Sequence, residues 1–303
     1  MMQETPPEIS VVVPTWNRLD TLREVVPTLL AQTLPAESFE VLVCDSNSTD
    51  GTQEYLAGIH AAHPNVVHLP GAYNGRAMAR NAGIACARGS VVLFNDSDIL
   101  ASPELLARHL AHHREREKVA VVGWEVQVRD LADYAYKRDH VEARGHLHPP
   151  SRKTLPWLYF LTGNASVKRE QLLAVGSFDE SFTGYGHEDL ELGYRLQKAG
   201  VTIVYEPQAV NYHCQDVPHD DQKEKMKLAG RSTVRFFRKH PDWAVRLNLG
   251  MTPVSLGLHS ALTAAPGVLG WLDRRAERSK FARDLVQQYY YVSGIKQALS
   301  TDD

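Results

Sequence analysis

The feature that most constrains this chain is a series of short apolar runs, each closed by polar residues and separated by stretches of helical period. Ile9 to Val13 is an apolar run ended by Pro14, the pattern of a strand buried on both faces of a parallel sheet. Asp20 to Leu30 follows with apolar residues at helical spacing. Phe39 to Cys44 (strand), Thr52 to Ala62 (helix), Val66 to Leu69 (strand), Gly75 to Ala87 (helix) and Ser90 to Phe94 (strand) continue the alternation. The order β-α-β-α-β-α-β predicts a parallel, helix-covered sheet with right-handed crossovers. At 303 residues and 43% hydrophobic content the chain is long and apolar enough to bury the core this requires.

Ser102 to Arg116 is again helical in period and Val119 to Val128 reads as a strand. Residues 129 to 155 are polar, contain Pro149-Pro150, and read as a long mobile loop over a site, with His146 and His148 able to approach a substrate on closure. His109, His112 and His113 share a helix with Arg108 and Arg114, so they read as a solvated face rather than a metal site. Helices are expected near Glu170 to Ala174 and Glu188 to Ala199, with a strand at Val201 to Tyr205. Beyond about residue 220 the strand signals stop, which divides the chain into residues 1–221 and a helical extension, 222–303.

Lys plus Arg total 33 against 36 for Asp plus Glu, and a net charge of −3 provides no general attraction for nucleic acid. The sum hides an asymmetry. Residues 222–283 hold 13 basic and 4 acidic side chains, a net of +9, which leaves −12 for the rest. The three cysteines lie far apart without CxxC spacing, which argues against a disulfide framework or a thiolate zinc site and fits a reducing compartment. The start, MMQETPPEIS, lacks the basic and apolar regions of a secretory signal, so the chain is expected to begin in the cytosol.

Between Arg246 and Asp273 lie 26 residues without a charge, but only 14 are A, V, L, M or W, and Pro253, Pro266 and four glycines interrupt them. A simple membrane span is therefore not expected. The run is bracketed by Arg231, Arg235, Arg238, Lys239 and Arg246 before it and Arg274, Arg275, Arg278, Lys280 and Arg283 after it. This suits an interfacial segment on an anionic cytosolic leaflet. It equally suits a helical hairpin packed on the first domain or at a homodimer interface, because periodicity cannot separate the two.

In parallel sheets ligands sit beyond the C-terminal ends of the strands. The residues there are Thr15-Trp16-Asn17-Arg18, Asp45 to Asp50, and Asn95-Asp96-Ser97-Asp98. Two carboxylates at a strand-to-loop turn can both reach a hard divalent cation such as Mg2+ or Mn2+; the other reading is a helix N-cap before Pro103-Glu104. No G-x-G-x-x-G follows the first strand and no G-x-x-x-x-G-K-[ST] occurs, which disfavours a dinucleotide or P-loop site. In Gly184-Tyr185-Gly186-His187-Glu188-Asp189 the glycines permit a close approach, while the carboxylates open a helix, where they are favoured electrostatically even without a catalytic role.

The ordered segments ISVVVPTWNR, VLVCDSNSTDGT, NGRAMARNAGI, VVLFNDSDI, LTGNASVKRE, GSFDESFTGYGHEDLELGYRL and VNYH resemble glycosyltransferase family 2, over about residues 9 to 213. The resemblance implies an α/β GT-A fold, a mostly parallel central sheet with helices on both faces, followed here by the helical extension. It implies that Thr15, Trp16, Arg18 and Asp45 hold the base and ribose of a UDP-, dTDP- or GDP-linked sugar. Trp16 replaces a more usual Tyr, and Ser46 stands at the base contact where many members carry Asp or Asn. Arg76, Arg80 and Asn81 fall in the segment that approaches the diphosphate, with a structural salt bridge as the other reading for Arg80.

Asp96 and Asp98 match the family's D-x-D, with Ser97 between them on the donor side, and His213 matches a third ligand for Mn2+ or Mg2+. Asp189 matches the general base, with Glu188 positioning acceptor or donor sugar. Gly163, Asn164, Tyr185, Gly186 and His187 fall on the acceptor side, although Gly163 and Asn164 read equally as a plain turn. The implied activity is inverting, metal-dependent transfer to a hydroxyl of a cell-envelope, exopolysaccharide or lipid-linked acceptor. The competing class is a non-catalytic nucleotide-sugar-binding or membrane-scaffold subunit.

Overall fold

The computed structural model describes residues 5–145, 153–214 and 219–301, so His146 and His148 lie outside the described residues. The expected alternation is present as β1 (Ile9–Thr15), α1 (Leu19–Leu30), β2 (Phe39–Asp45), α2 (Thr52–Ala62), β3 (Val66–Pro70), α3 (Arg76–Cys86) and β4 (Val91–Phe94). These four strands pair in parallel in the order β3-β2-β1-β4. Every residue of β1 and β2 is buried, which is why their sequences show continuous runs instead of alternation. Two polar residues in these strands satisfy each other: Ser10 donates to Glu40 at 2.6 Å, and Arg88 pairs with the same carboxylate at 2.9 Å.

The sheet then extends through β5 (Ile99–Ala101), β6 (Val119–Val128), β7 (Thr154–Leu155), β8 (Ala165–Lys168) and β9 (Thr202–Cys214), with α4 (Leu105–Glu115), α5 (Leu131–Asp139), α6 (Arg169–Ala174) and α7 (Glu188–Lys198) between them. The order continues β4-β8-β6-β9-β5, with β7 on β9. β8 runs antiparallel to both β4 and β6, and β5 antiparallel to β9. The nine-stranded sheet is therefore mixed: its first four strands are all parallel, and beyond them only β6 and β9 pair in parallel. Ala165, the first residue of β8, pairs with Phe94, the last of β4, so the turn before β8 lies on the same edge as Asn95 to Asp98.

Four expectations change. Residues 129 to 155 are not one long loop, because α5 and β7 lie within them. Asp130 caps α5 by accepting from the Asp133 N–H at 2.8 Å, and Asp133 pairs with Lys137 one turn on at 3.0 Å. No residue of α5 is buried, so it leaves no apolar period to detect. β9 runs thirteen residues, past Pro207, because its register against β6 shifts at Gly123/Trp124. Asn211 to His213 accordingly lie inside a strand.

His109 and His113 are buried instead of solvated. The Ser166 hydroxyl lies 2.8 Å from His109 Nδ1 and 2.7 Å from His113 Nε2, and His109 Nε2 lies 2.8 Å from Asn164 Oδ1. Burial pushes His109 down to about 4 and His113 to about 3, so both are neutral.

The chain forms two compact units, residues 1–183 with 188–216, and residues 184–187 with 217–303. The expected division after residue 221 would cut α8 (His219–Lys239), a single hydrogen-bonded helix. With α8 the second unit contains α9 (Trp243–Asn248), α10 (Pro253–Ala264), α11 (Pro266–Arg275) and α12 (Lys280–Ser300). Gly230 of α8 and Gly294 of α12 let the two helix backbones approach closely; a Cβ at either would strike a carbonyl of the facing helix. Leu262, Leu272, Ala282 and Val286 form one apolar cluster in this unit, and Val234, Met251 and Ile295 another. Among the described residues no helix is long and apolar enough to cross a membrane.

Candidate active site

The parallel strands deliver their last residues to one edge, and there the polar loops interlock. Asp45, fully buried at the end of β2, accepts from the Ser48 N–H at 3.0 Å and hydroxyl at 2.5 Å, while its other oxygen lies 3.1 Å from His68 Nε2. The Ser46 N–H donates to the Thr15 carbonyl at 3.0 Å, which ties the first two loops together. Asn17 adopts φ 50°, the left-handed region that asparagine tolerates, and its N–H donates to Ser48 Oγ at 2.7 Å. The buried Thr15 hydroxyl has no protein partner, and Trp16 beside it is 65% exposed. An indole held open next to an orphaned hydroxyl can stack on and hydrogen-bond a planar ligand.

After β4 the Asn95 side chain donates to the Asp96 and Ile99 carbonyls, both at 2.9 Å, and so shapes the turn carrying Asp96, Ser97 and Asp98. Ser97 is buried. Arg80, buried on α3, donates to Asp96 at 2.8 Å and to Glu188 at 3.0 Å, with its guanidinium 5.5 Å from the centre of the Phe178 ring. Burial disfavours its charge, but the carboxylates of Asp96 and Glu188, joined by Asp189, more than offset that and hold the cation. Arg80 thus takes the salt-bridge reading.

Glu188 and Asp189 open α7. One Glu188 oxygen meets Arg80; the other is buried without a protein partner. Asp189 accepts from the Leu190 N–H at 2.8 Å. Burial first, then the Glu188 charge, push Asp189 up to about 7, against the lowering by Arg80. A carboxylate so raised is a stronger base than an ordinary aspartate.

His213 Nε2 stands 3.6 Å from Asp98 Oδ1, and its Nδ1 lies 3.0 Å from Glu125 Oε1. Burial raises Asp98, yet the His213 hydrogen bond and charge, then Arg18 and Arg76, bring it below the usual carboxylate range. His213 rises to about 10: burial lowers it, but the Asp98 and Glu125 carboxylates prevail. The expected three-ligand set does not assemble, because Asp96 is turned to Arg80, and among the described residues no three His, Cys, Asp or Glu side chains are grouped to hold a metal. Asp98 and His213, a carboxylate oxygen and a ring nitrogen 3.6 Å apart, are the two side chains that would hold a divalent cation. Such a cation would supply positive charge for phosphate oxygens.

Other expected residues serve the frame. Asn81 bonds the Phe178 backbone twice and Glu180 once, each at 2.9 Å, so it clamps a loop instead of reaching outward. Asn164 is buried, donating to the Ala209 carbonyl at 2.9 Å and facing His109. Gly163 packs against Glu125 and Ile99. Tyr185, Gly186 and His187 belong to the second unit, where the Tyr185 carbonyl accepts from Ser232 at 3.1 Å and His187 Nε2 lies 2.8 Å from Thr233 Oγ1. Arg76 opens α3 and Arg18 precedes α1.

Sequence reasoning missed His68 and Glu125. Each is a titratable residue in an otherwise apolar strand, a signal that was there to be read.

A model described as Glycosyl transferase family 2 matches residues 10–176, and one described as the N-terminal domain of galactosyltransferase matches residues 145–219. Validoxylamine A glucosyltransferase of Streptomyces hygroscopicus subsp. jinggangensis is 32% identical over 272 residues, 79% of this chain and 64% of that protein, so the chain spans about two-thirds of this relative's length. The solved structure of the Pyrobaculum calidifontis mannosyltransferase PcManGT, in complex with GDP-Man and Mn2+, has a TM-score of 0.66 at 22% identity, covering 99% of this chain and 89% of that one. Residues 1–349 of S. aureus TarS in complex with UDP give a TM-score of 0.59 at 19% identity, covering 96% and 89%.

Proposed function

Since the chain belongs to glycosyl transferase family 2, we propose that it moves a sugar from a nucleoside diphosphate to an acceptor hydroxyl with inversion of configuration. The observation that carries this reading is Arg80: one buried guanidinium joins Asp96 of the Asp-Ser-Asp turn to Glu188, the neighbour of Asp189. A donor-binding turn and a candidate base are thereby held in one electrostatic unit.

In this reading Asp45, Thr15 and Trp16 receive the nucleoside, and Arg18 and Arg76 face the diphosphate. Asp189 takes the proton from the acceptor hydroxyl as that oxygen attacks the anomeric carbon from the face opposite the leaving group. Glu188, anchored by Arg80, presents its unpartnered oxygen to the donor or acceptor sugar. A divalent cation, Mn2+ or Mg2+, held by Asp98 and His213 would offset the charge that grows on the departing diphosphate. The neighbours' ligands make UDP- and GDP-linked sugars the first donors to try. A cell-envelope, exopolysaccharide or lipid-linked acceptor is read from the basic residues 222–283, which suit an anionic membrane surface on the cytosolic side.

Thermal-shift screening with UDP, dTDP and GDP and their sugars, with and without Mn2+, followed by product analysis by NMR, tests the reading. Stabilisation by a nucleotide and an inverted anomeric product are expected. Full transfer in excess chelator would remove the cation, and donor binding without turnover would favour the non-catalytic subunit.

A further inference from the structure

The strands beside the proposed cation site carry a carboxylate that nothing in the reaction above uses. β6 and β9 run parallel, with Glu125 paired to Asn211 and Gln127 to His213. Alternate residues of a strand share a face, so Glu125, Gln127, Asn211 and His213 lie on one side of the sheet. There Glu125 Oε1 lies 3.0 Å from His213 Nδ1 and accepts from Gln127 Nε2 at 2.7 Å. Gln127 Nε2 is also 3.5 Å from Nδ1, but a donor cannot replace the acceptor that a protonated Nδ1 needs. β5 pairs with β9 so that Ile99 faces His213, and this sets Asp98 beside the other ring nitrogen.

The glycine of the Leu-Thr-Gly-Asn turn belongs to the same arrangement. A Cβ on Gly163 would collide with Glu125 Oε2 and Ile99, and the Gly163 carbonyl accepts from the Asn211 side chain at 2.7 Å. The missing side chain at Gly163 leaves space for the Glu125 carboxylate where it stands.

We propose that Glu125 is the positioning residue of the cation site, acting through His213; this rests on the reading that Asp98 and His213 hold a divalent cation. By accepting from Nδ1–H, Glu125 keeps the proton on that nitrogen and leaves Nε2, beside Asp98, as the nitrogen that would exchange its proton for the cation, and it holds the ring in that orientation. A carboxylate behind a ligating histidine raises its basicity as well as its order. Gly163 contributes by leaving the carboxylate in place.

The test measures Mn2+ binding to the full chain in the presence of UDP or GDP, from the electron paramagnetic resonance signal of free Mn2+. Glu125→Ala is expected to weaken binding about 10- to 100-fold. Glu125→Gln, which keeps an acceptor oxygen, recovers most of the affinity. Glu125→Met, of similar length without that acceptor, repeats the loss and keeps the series readable if the alanine variant unfolds. In a His213→Ala background, removing Glu125 adds nothing, because the two act as a unit. The spin-echo signature of a coordinated imidazole nitrogen, present in the unsubstituted protein, is lost or altered in Glu125→Met. Wild-type affinity in both acceptor-free variants, or an equal further loss in the His213→Ala background, overturns the role of Glu125 and leaves the cation reading intact. Failure of the unsubstituted protein to bind Mn2+ with either nucleotide overturns both.

Discussion

In the first unit Glu40, Asp45, Arg80 and Glu188 are buried, whereas in the second Trp243, Val254 and Phe281 stand 75%, 80% and 71% exposed. Each unit departs from the usual partition of side chains, in opposite directions. A buried charge must be paired, and these are: Glu40 with Ser10 and Arg88, Asp45 with Ser48 and His68, Arg80 with Asp96 and Glu188. These exposed apolar residues sit on α9, α10 and α12, which also carry the buried Val245, Leu262 and Ala282, so the same helices hold apolar side chains both inside and outside. Arg275 lies over the ring of Trp271, its guanidinium 4.5 Å from the ring centre, which mixes cation and aromatic on that surface. The first unit keeps charged groups inside and paired; the second leaves apolar groups outside.

The sharpest way to break this contrast is at the buried carboxylates. Asp189→Asn is expected to lower kcat by about 10²- to 10⁴-fold in a transfer assay while leaving the UDP-induced thermal shift unchanged. The base works ionised, so with Asp189 raised to about 7 the rate in the unsubstituted protein should fall as pH drops below neutrality and level off above it. A pH profile flat down to pH 5 would exclude Asp189 as the base.

Next in size is Arg80→Ala. It strands two carboxylates, and removing one partner of a buried pair costs about 3–5 kcal/mol, to be read as a loss of unfolding free energy in urea. A loss below 1 kcal/mol, roughly the worth of an exposed pair, would mean that water reaches the group.

The buried histidines give a smaller effect with a defined sign. Their folded values, about 4 for His109 and about 3 for His113, lie below the unfolded value near 6.5. The unfolded chain therefore binds the protons first. Stability is full above about pH 6.5 and declines as pH falls toward the folded values, by about 1.4 kcal/mol per pH unit for each histidine. Urea titrations at pH 7, 6 and 5, repeated on His109→Asn, measure the slope and the share that disappears with the ring.

The smallest expected change in stability comes from the outer helices. Trp243→Ser together with Val254→Ser should alter unfolding free energy by only about 0.5 kcal/mol per site, since neither side chain is packed. The same pair should weaken flotation with anionic vesicles, while neutral vesicles bind neither form. If the substitutions instead abolish a dimer seen by light scattering, the surface belongs to a second copy of the chain.

Much of the first unit was legible because its signals are local. The apolar runs of β1 and β2, the turn chemistry after β4 and the carboxylates opening α7 each occupy a few consecutive residues, and periodicity and spacing report on that scale. α5 escaped because a surface helix held by a cap and an ion pair has no buried stripe. His109 and His113 were misjudged because adjacent arginines suggested solvent, and only the partner Ser166, some fifty residues along the chain, explains their burial.

The sequence by itself determined the class of fold, the family and the loops in which the chemistry gathers, since these follow from order and local composition. Tertiary structure decided which side chains do what. It turned Asp96 from a cation to Arg80, drew Asn81 and Asn164 into the frame, and put Glu125 behind His213. The physical reason is that hydrogen bonds and ion pairs act over about 3 Å in space, while their partners here are separated by up to 108 positions in the chain. The net charge separates in the same way. The sequence established that residues 222–283 are basic, but only the folded helices determined which apolar side chains among them remain outside.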